Sequence, residues 1–247
     1  MTAPWTPGPL NILCAGAAQG LVGAVQGVFL ELTGCRVEGR FGPAGAMRET
    51  LRSGAPCDVM IDTADTVSEL QAGGRLAPGP APALGSVRTG MAVRGQTPLP
   101  DISTADALRA SLLNAKAIYV SDTRRSIAGL HFVSVLSRLG IEDRVASRLR
   151  PYPNGVAAMR ALADDPRPGA IGCSQISEIR FTPDVVVAGS LPETLGLAMV
   201  YCAAVSASTR QPELARRFVD LIAGPRSRCL RVHGGFDCTN LVPSSAR

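Results

Sequence analysis

Leu10-Asn-Ile-Leu-Cys14, then Ala15-Gly-Ala-Ala-Gln19, then a helical run through Val28, Phe29 and Leu32 that stops at Gly34, is the stretch on which the fold turns. A short apolar run, a turn of small residues and a helical period together read as a β-strand feeding an α-helix, and a glycine at the end supplies the left-handed residue that closes such a helix. The same unit then repeats. Residues 36–41 alternate as a second strand, and Gly42-Pro-Ala-Gly45 opens a helix through Met47 and Leu51. Asp58-Val-Met-Ile-Asp62 reads as a third strand, and residues 66–72 as a third helix closed by Gly73-Gly74. Strands alternating with helices imply a mostly parallel sheet.

Past a proline-rich stretch (78–82) the pattern restarts with a strand at 87–93. Ser103-Thr-Ala-Asp106 reads as a capping box before a helix bearing Leu108 and Leu112. Ala117-Ile-Tyr-Val120 is a strand, and 126–139 a helix with Leu130, Val133, Leu136 and Leu139 on one face. A strand near 147–150, a helix over 155–162 and the strand Ala170-Ile-Gly-Cys173 follow. Residues 197–205 form the longest strand candidate, ahead of a helix carrying Leu214, Phe218, Leu221 and Ile222 that ends at Gly224-Pro225. The expected fold is α/β with two lobes: residues 8–92 with 198–247 form the first, 93–197 the second, and the ligand is expected between them.

Composition narrows the function. The chain has 247 residues, 46% apolar and 18% charged, enough for a core without disulfide or metal staples. The net charge of +5 is scattered, Lys116 is the one lysine, and aromatics are 4%, so the basic, ring-lined surface of a nucleic-acid binder is not there. No stretch reaches the length of a membrane span, and residues 1–9 do not read as a secretory signal. Seven cysteines with no C-x-x-C pair, and two histidines, argue against zinc and for free thiols in a reducing, cytoplasmic setting. A periplasmic protein supplied without its leader is expected to look similar, apart from the odd cysteine count. No cofactor is expected.

In such sheets, ligands sit at the carboxyl ends of strands, where helix N-termini present unpaired N–H groups that favour anions. Four loops fit: Ala15 to Gln19, Gly42 to Ala46, Ser121-Asp-Thr-Arg-Arg-Ser-Ile-Ala-Gly129 and Cys173-Ser-Gln-Ile-Ser177. The expected partner is therefore a small anion, a carboxylate ahead of an oxyanion. The first loop lacks the spacing of a dinucleotide or phosphate-binding fingerprint.

Three segments carry a resemblance over about residues 10–236: Ser53-Gly-Ala-Pro-Cys-Asp58-Val-Met-Ile, Val120 through Gly129, and the ending Gly224-Pro-Arg with Gly234-Gly-Phe236. With them the chain resembles the periplasmic molybdate-binding proteins of bacterial ABC transporters, within the type II solute-binding fold. That resemblance implies an oxyanion ligand and, if the chain is exported, an ABC permease as partner. It also implies serines in the first two loops, which here fall on Ala17 and on Pro43-Ala-Gly45; the tyrosine implied in the fourth loop is replaced by the Cys173/Ser174 region. A tetrahedral oxyanion loses its side-chain donors there.

A branch of the same fold resembling bacterial aconitate isomerase implies a 1,3-proton shift on an unsaturated tricarboxylate. For that reading the ligand-binding candidates are Ala17, Gln19, Gly45, Arg124, Arg125, Ser126, Ser174 and Gln175. Guanidinium groups fork onto carboxylates, and serine hydroxyls at helix starts either cap or bind. Catalytic candidates are Cys173, His131 and Glu178, each with a commoner structural role: a buried strand thiol, a packed histidine and an exposed helical glutamate. Asp122 is expected to cap the following helix, and His233 to pack in the C-terminal one. The leading expectation is a cytoplasmic isomerase of a small polycarboxylate; the alternative is a non-catalytic binding subunit or sensor.

Overall fold

The computed structural model describes residues 8–239, so the reading of residues 1–7 and the last eight residues of the expected first lobe lie outside it. The chain opens with β1 (Leu10–Ala15), α1 (Gln19–Thr33), β2 (Val37–Gly42), α2 (Ala44–Arg52), β3 (Val59–Thr63) and α3 (Ala64–Ala72). Next come β4 (Ala83–Arg94), α4 (Ala105–Asn114), β5 (Ala117–Ser121), α5 (Ile127–Arg138) and α6 (Glu142–Val145). Then follow β6 (Leu149–Tyr152), α7 (Gly155–Ala163), β7 (Ala170–Gln175), α8 (Ile176–Phe181) and β8 (Val185–Ser190). The series closes with β9 (Ala198–Val205), α9 (Pro212–Ala223) and α10 (Arg228–His233). The α/β class read from the sequence is the class of the structure, and the chain divides into two compact units, 1–85 with 200–247, and 86–199.

In the first unit β1 lies between β2 and β3, parallel to both, and β9 runs antiparallel to β3. Leu13, Met60 and Leu76 are buried together with Met47 and Leu51 of α2 and Leu70 of α3. On the α1 and α9 side Phe29 meets Phe218 edge-on, ring centroids 5.1 Å apart. Gly34 takes φ +70° and closes α1 with its N–H on the Leu30 carbonyl, the role its sequence position assigns it.

In the second unit β5 lies between β6 and β7, parallel to both, while β4 runs antiparallel to β7 and to β8. Its core gathers Met91, Leu108, Leu112, Ile118, Val120, Phe132, Val135 and Leu136. The buried face of α5 differs from the one expected. Ala128, Phe132, Val135 and Leu136 point inward, and Leu130 is 51% exposed. A strict three-residue spacing drifts around a helix of 3.6 residues per turn, so Leu130, Val133, Leu136 and Leu139 do not share a face.

Three further expectations are corrected. The α4 cap is Thr104, whose Oγ1 accepts the Ala107 N–H at 3.1 Å, because Ser103 is held by Asp101. The longest strand is β4, 12 residues, against 8 for β9. It runs on through Gly85, at φ +144°, where a Cβ would lie 2.8 Å from Phe236 Cβ and only glycine fits. His233 ends α10 exposed rather than packed. Among the described residues no helix is long and apolar enough to cross a membrane.

Candidate functional site

The strand ends of each unit are taken separately. In the first unit β1 passes through a single turn of 3-10 helix, Gly16–Ala18, into α1, and neither helix start has a side-chain cap. Ala17 and Ala18 are buried, Gln19 half-buried. Helix α2 starts from Pro43, again without a side-chain cap, and Gly45 is exposed. Donors at these two helix starts are therefore main-chain N–H groups. Of α1, α2 and α3, α3 alone has a side-chain cap, Thr63, whose Oγ1 also pairs with Thr66 Oγ1 at 2.9 Å.

Asp62, the residue before the last of β3, lies at this same end and is fully buried. Its Oδ1 accepts the Thr63 N–H at 2.7 Å, but Oδ2 has no hydrogen-bond partner among the described residues. Burial pushes its carboxyl up to about 6, against the Thr63 amide, Thr66 and the Arg48 charge, which pull it down. The sequence reading takes Asp62 only as a strand residue; its signal is an acid that follows the apolar Val59-Met-Ile61 run of β3.

A carboxyl whose pKa is higher folded than unfolded binds its proton more tightly in the native state, so its contribution falls as pH rises from about 4 to about 6. Asp62→Asn removes that dependence. Relative to wild type, the variant is expected to gain roughly 2 to 3 kcal/mol between pH 4 and pH 7. Urea unfolding at the two pH values checks this, and parallel curves would contradict it.

In the second unit β5 ends at Ser121, and the next loop is tied by hydrogen bonds. Asp122 Oδ1 accepts the N–H groups of Arg124 and Arg125 at 2.8 and 3.1 Å, so Asp122 makes the turn before α5 rather than capping the helix. Ser126 caps α5, accepting the Gly129 N–H at 2.9 Å while donating to the Asp122 carbonyl at 2.9 Å. Its only proton is thus used, and Ser121 donates to it across 2.6 Å. Both arginine side chains are exposed. Ser126→Ala strips three bonds from the loop and is expected to cost about 1 to 2 kcal/mol, read as a lower urea midpoint with unchanged slope.

Strand β7 ends in buried Ser174 and Gln175. Glu178, expected on an exposed face, is buried in α8, and its Oε2 accepts the Ser174 hydroxyl at 2.5 Å. Burial raises its carboxyl, with Ser174 and Gln175 acting the other way. Gly155, first residue of α7, closes this cluster: a Cβ there would lie 2.0 Å from Glu178 Oε2 and 2.2 Å from Ser174 Oγ. The preceding Asn154 caps α7 through Ala157 N–H at 2.8 Å. The sequence reading starts this helix at Gly155 but does not use Asn154 as its cap, although Asn before a helix start is a capping signal.

The structure joins Ser174 to Glu178 and leaves the other two catalytic candidates elsewhere. Cys173 is packed in the core, where burial pushes its thiol far up and keeps it protonated, unlike a reactive thiolate. His131 Nε2 meets the Leu195 carbonyl at 3.0 Å, and partial burial lowers its pKa, holding the ring neutral.

With this geometry in hand, the match to known proteins is specific: a family model described as "Bacterial extracellular solute-binding protein" covers residues 10–237. The chain belongs to that family. A curated relative of this solute-binding protein is an aconitate isomerase from Pseudomonas sp, 26% identical over 221 residues, spanning 87% of this chain and 82% of the relative. Among solved structures, the periplasmic molybdate-binding protein of Azotobacter vinelandii superposes with a TM-score of 0.76 at 19% identity, over 92% of this chain and 98% of that one. The sulfate-binding protein SubI of Mycobacterium tuberculosis does so at 0.69 and 16%, over 93% and 86%. These structural likenesses establish the solute-binding fold.

Proposed function

We propose that this solute-binding protein takes a small polycarboxylate and shifts a proton within it, as in the interconversion of cis- and trans-aconitate. The observation that carries the reading is the 26% identity to an aconitate isomerase across 87% of the chain. The loop chemistry supports it. Ala17 and Pro43 to Gly45 offer a tetrahedral oxyanion no hydroxyl, while Arg124 and Arg125 hold exposed guanidinium groups on a turn fixed by Asp122. Incubation with either aconitate isomer is expected to yield the other; no turnover above background overturns the reading.

A second reading, a binding subunit without catalysis that serves an ABC permease, is favoured by the molybdate- and sulfate-binding structural neighbours. Thermal stabilisation by molybdate or tungstate and by no polycarboxylate would decide for it. On the first reading, Arg124→Ala is expected to weaken carboxylate binding more than tenfold by calorimetry; unchanged affinity would place that guanidinium away from the ligand. A cytoplasmic setting suits the seven free thiols, and cell fractionation checks it.

A further inference from the structure

Cys173 and His131 are committed elsewhere, which leaves the proton shift without a base from either; the first unit holds a buried carboxylate, Asp62, of which one oxygen accepts the Thr63 N–H and the other has no hydrogen-bond partner among the described residues. Asp62 sits at the carboxyl end of β3, one residue beyond Ile61, which pairs with Cys14 just before the Ala15 turn. It is 0% exposed, and its Oδ2 makes no hydrogen bond among the described residues. A buried acceptor without a donor costs stability, and such groups persist where function requires them.

The groups around Asp62 can be named element by element. Cys14 of β1 feels its charge, and Cys202 of β9 is its partner across the antiparallel ladder. From α3 come Thr66 and the capping residue Thr63. Arg48 of α2 acts on it by charge, but that guanidinium is paired with Glu69 at 3.1 Å and lies 3.5 Å from Glu49. Both thiols are pushed up by burial and stay neutral. Glu69 and Glu49 are engaged by Arg48, so Asp62 is the carboxylate of this set with an oxygen left without a partner among the described residues, beside a turn whose side chains are no larger than methyl groups until Gln19.

We propose that Asp62 is the proton carrier of the isomerisation: Oδ2 removes a proton from the methylene carbon of a bound unsaturated polycarboxylate and returns it two carbons away. This rests on the polycarboxylate reading above. In the first half the C–H bond breaks, an O–H bond forms on Asp62, and the C–H electron pair spreads over the allylic system onto a carboxylate. In the second half the O–H bond breaks, a C–H bond forms at the far end of the allyl system, and the double bond is left one position along. The proton is recovered, so no oxidant, reductant or co-reactant is needed. A carboxyl poised near 6 is ionised at working pH and still basic enough to accept a proton.

The test is Asp62→Asn, assayed for aconitate isomerisation and, by calorimetry, for aconitate binding. The expected result is a fall in kcat of at least about 100-fold with the dissociation constant within threefold of wild type. The wild-type enzyme at saturating substrate is expected to lose kcat as pH falls through about 6, a readout that holds even if the variant folds poorly. A variant with wild-type kcat, or a wild-type kcat flat between pH 5 and pH 7, overturns the assignment of Asp62 and leaves the isomerase reading standing. Wild-type protein that binds aconitate without isomerising it overturns the isomerase reading itself.

Discussion

Alanine at Gly129 is expected to destabilise the second unit by more than about 3 kcal/mol. The added Cβ would lie 2.2 Å from the Asp122 carbonyl oxygen and 2.7 Å from that of Ser121, both main-chain atoms that no rotamer change moves aside. Helix α5 would have to retreat from the end of β5. That movement pulls the Gly129 N–H from Ser126 Oγ and strains the Ser126 bond to Asp122, the links that hold the arginine-bearing turn. Urea unfolding measures the loss. A change below 1 kcal/mol would show that α5 is not seated on the loop as described.

Phe218→Ala is expected to cost about 3 to 5 kcal/mol in the first unit. The ring is fully buried on α9 and meets Phe29 of α1 edge-on, with ring planes at 82°. Removing it forfeits the apolar transfer energy, leaves a cavity, and ends an aromatic contact worth about 0.5 to 1.5 kcal/mol beyond area. Phe218→Leu keeps most of the volume and is expected to cost less than half as much. Chemical denaturation of the two variants gives both numbers, and equal losses would contradict the account, since they would assign the whole loss to the ring contact with Phe29 and none to volume.

Much of the fold was legible because the periodicities are local. The apolar run of β1, the turn of small residues and the left-handed Gly34 each declare themselves within a few residues. Where the reading failed, tertiary contacts decided. Ser103 carries a hydroxyl as suited to capping as that of Thr104, but Asp101 claims it. Strand β4 outruns its expected length through Gly85, whose backbone passes against Phe236, more than a hundred residues away in sequence. Strand β8 escaped notice because most of it is only half-buried, with no clean inside-outside alternation.

The site shows the same division. Loop positions follow from strand ends, so the four loops named from the sequence are strand-to-helix turns of the structure. The state of each side chain does not follow, because burial is a property of the assembled fold. Glu178 looks like a surface glutamate until Ser174 and the side-chain-free Gly155 are packed against it. Asp62 reads as the polar end of a strand until its Oδ2 is found enclosed without a donor. Ser126 looks available for a ligand until its one proton is traced to the Asp122 carbonyl.

Proton NMR of trans-aconitate with catalytic amounts of the wild-type protein in D2O tests the account most directly. Growth of cis-aconitate resonances, with deuterium entering the methylene position wherever the carried proton exchanges with solvent, is the outcome the account requires. An unchanged spectrum, from protein that molybdate stabilises against heat, would contradict it.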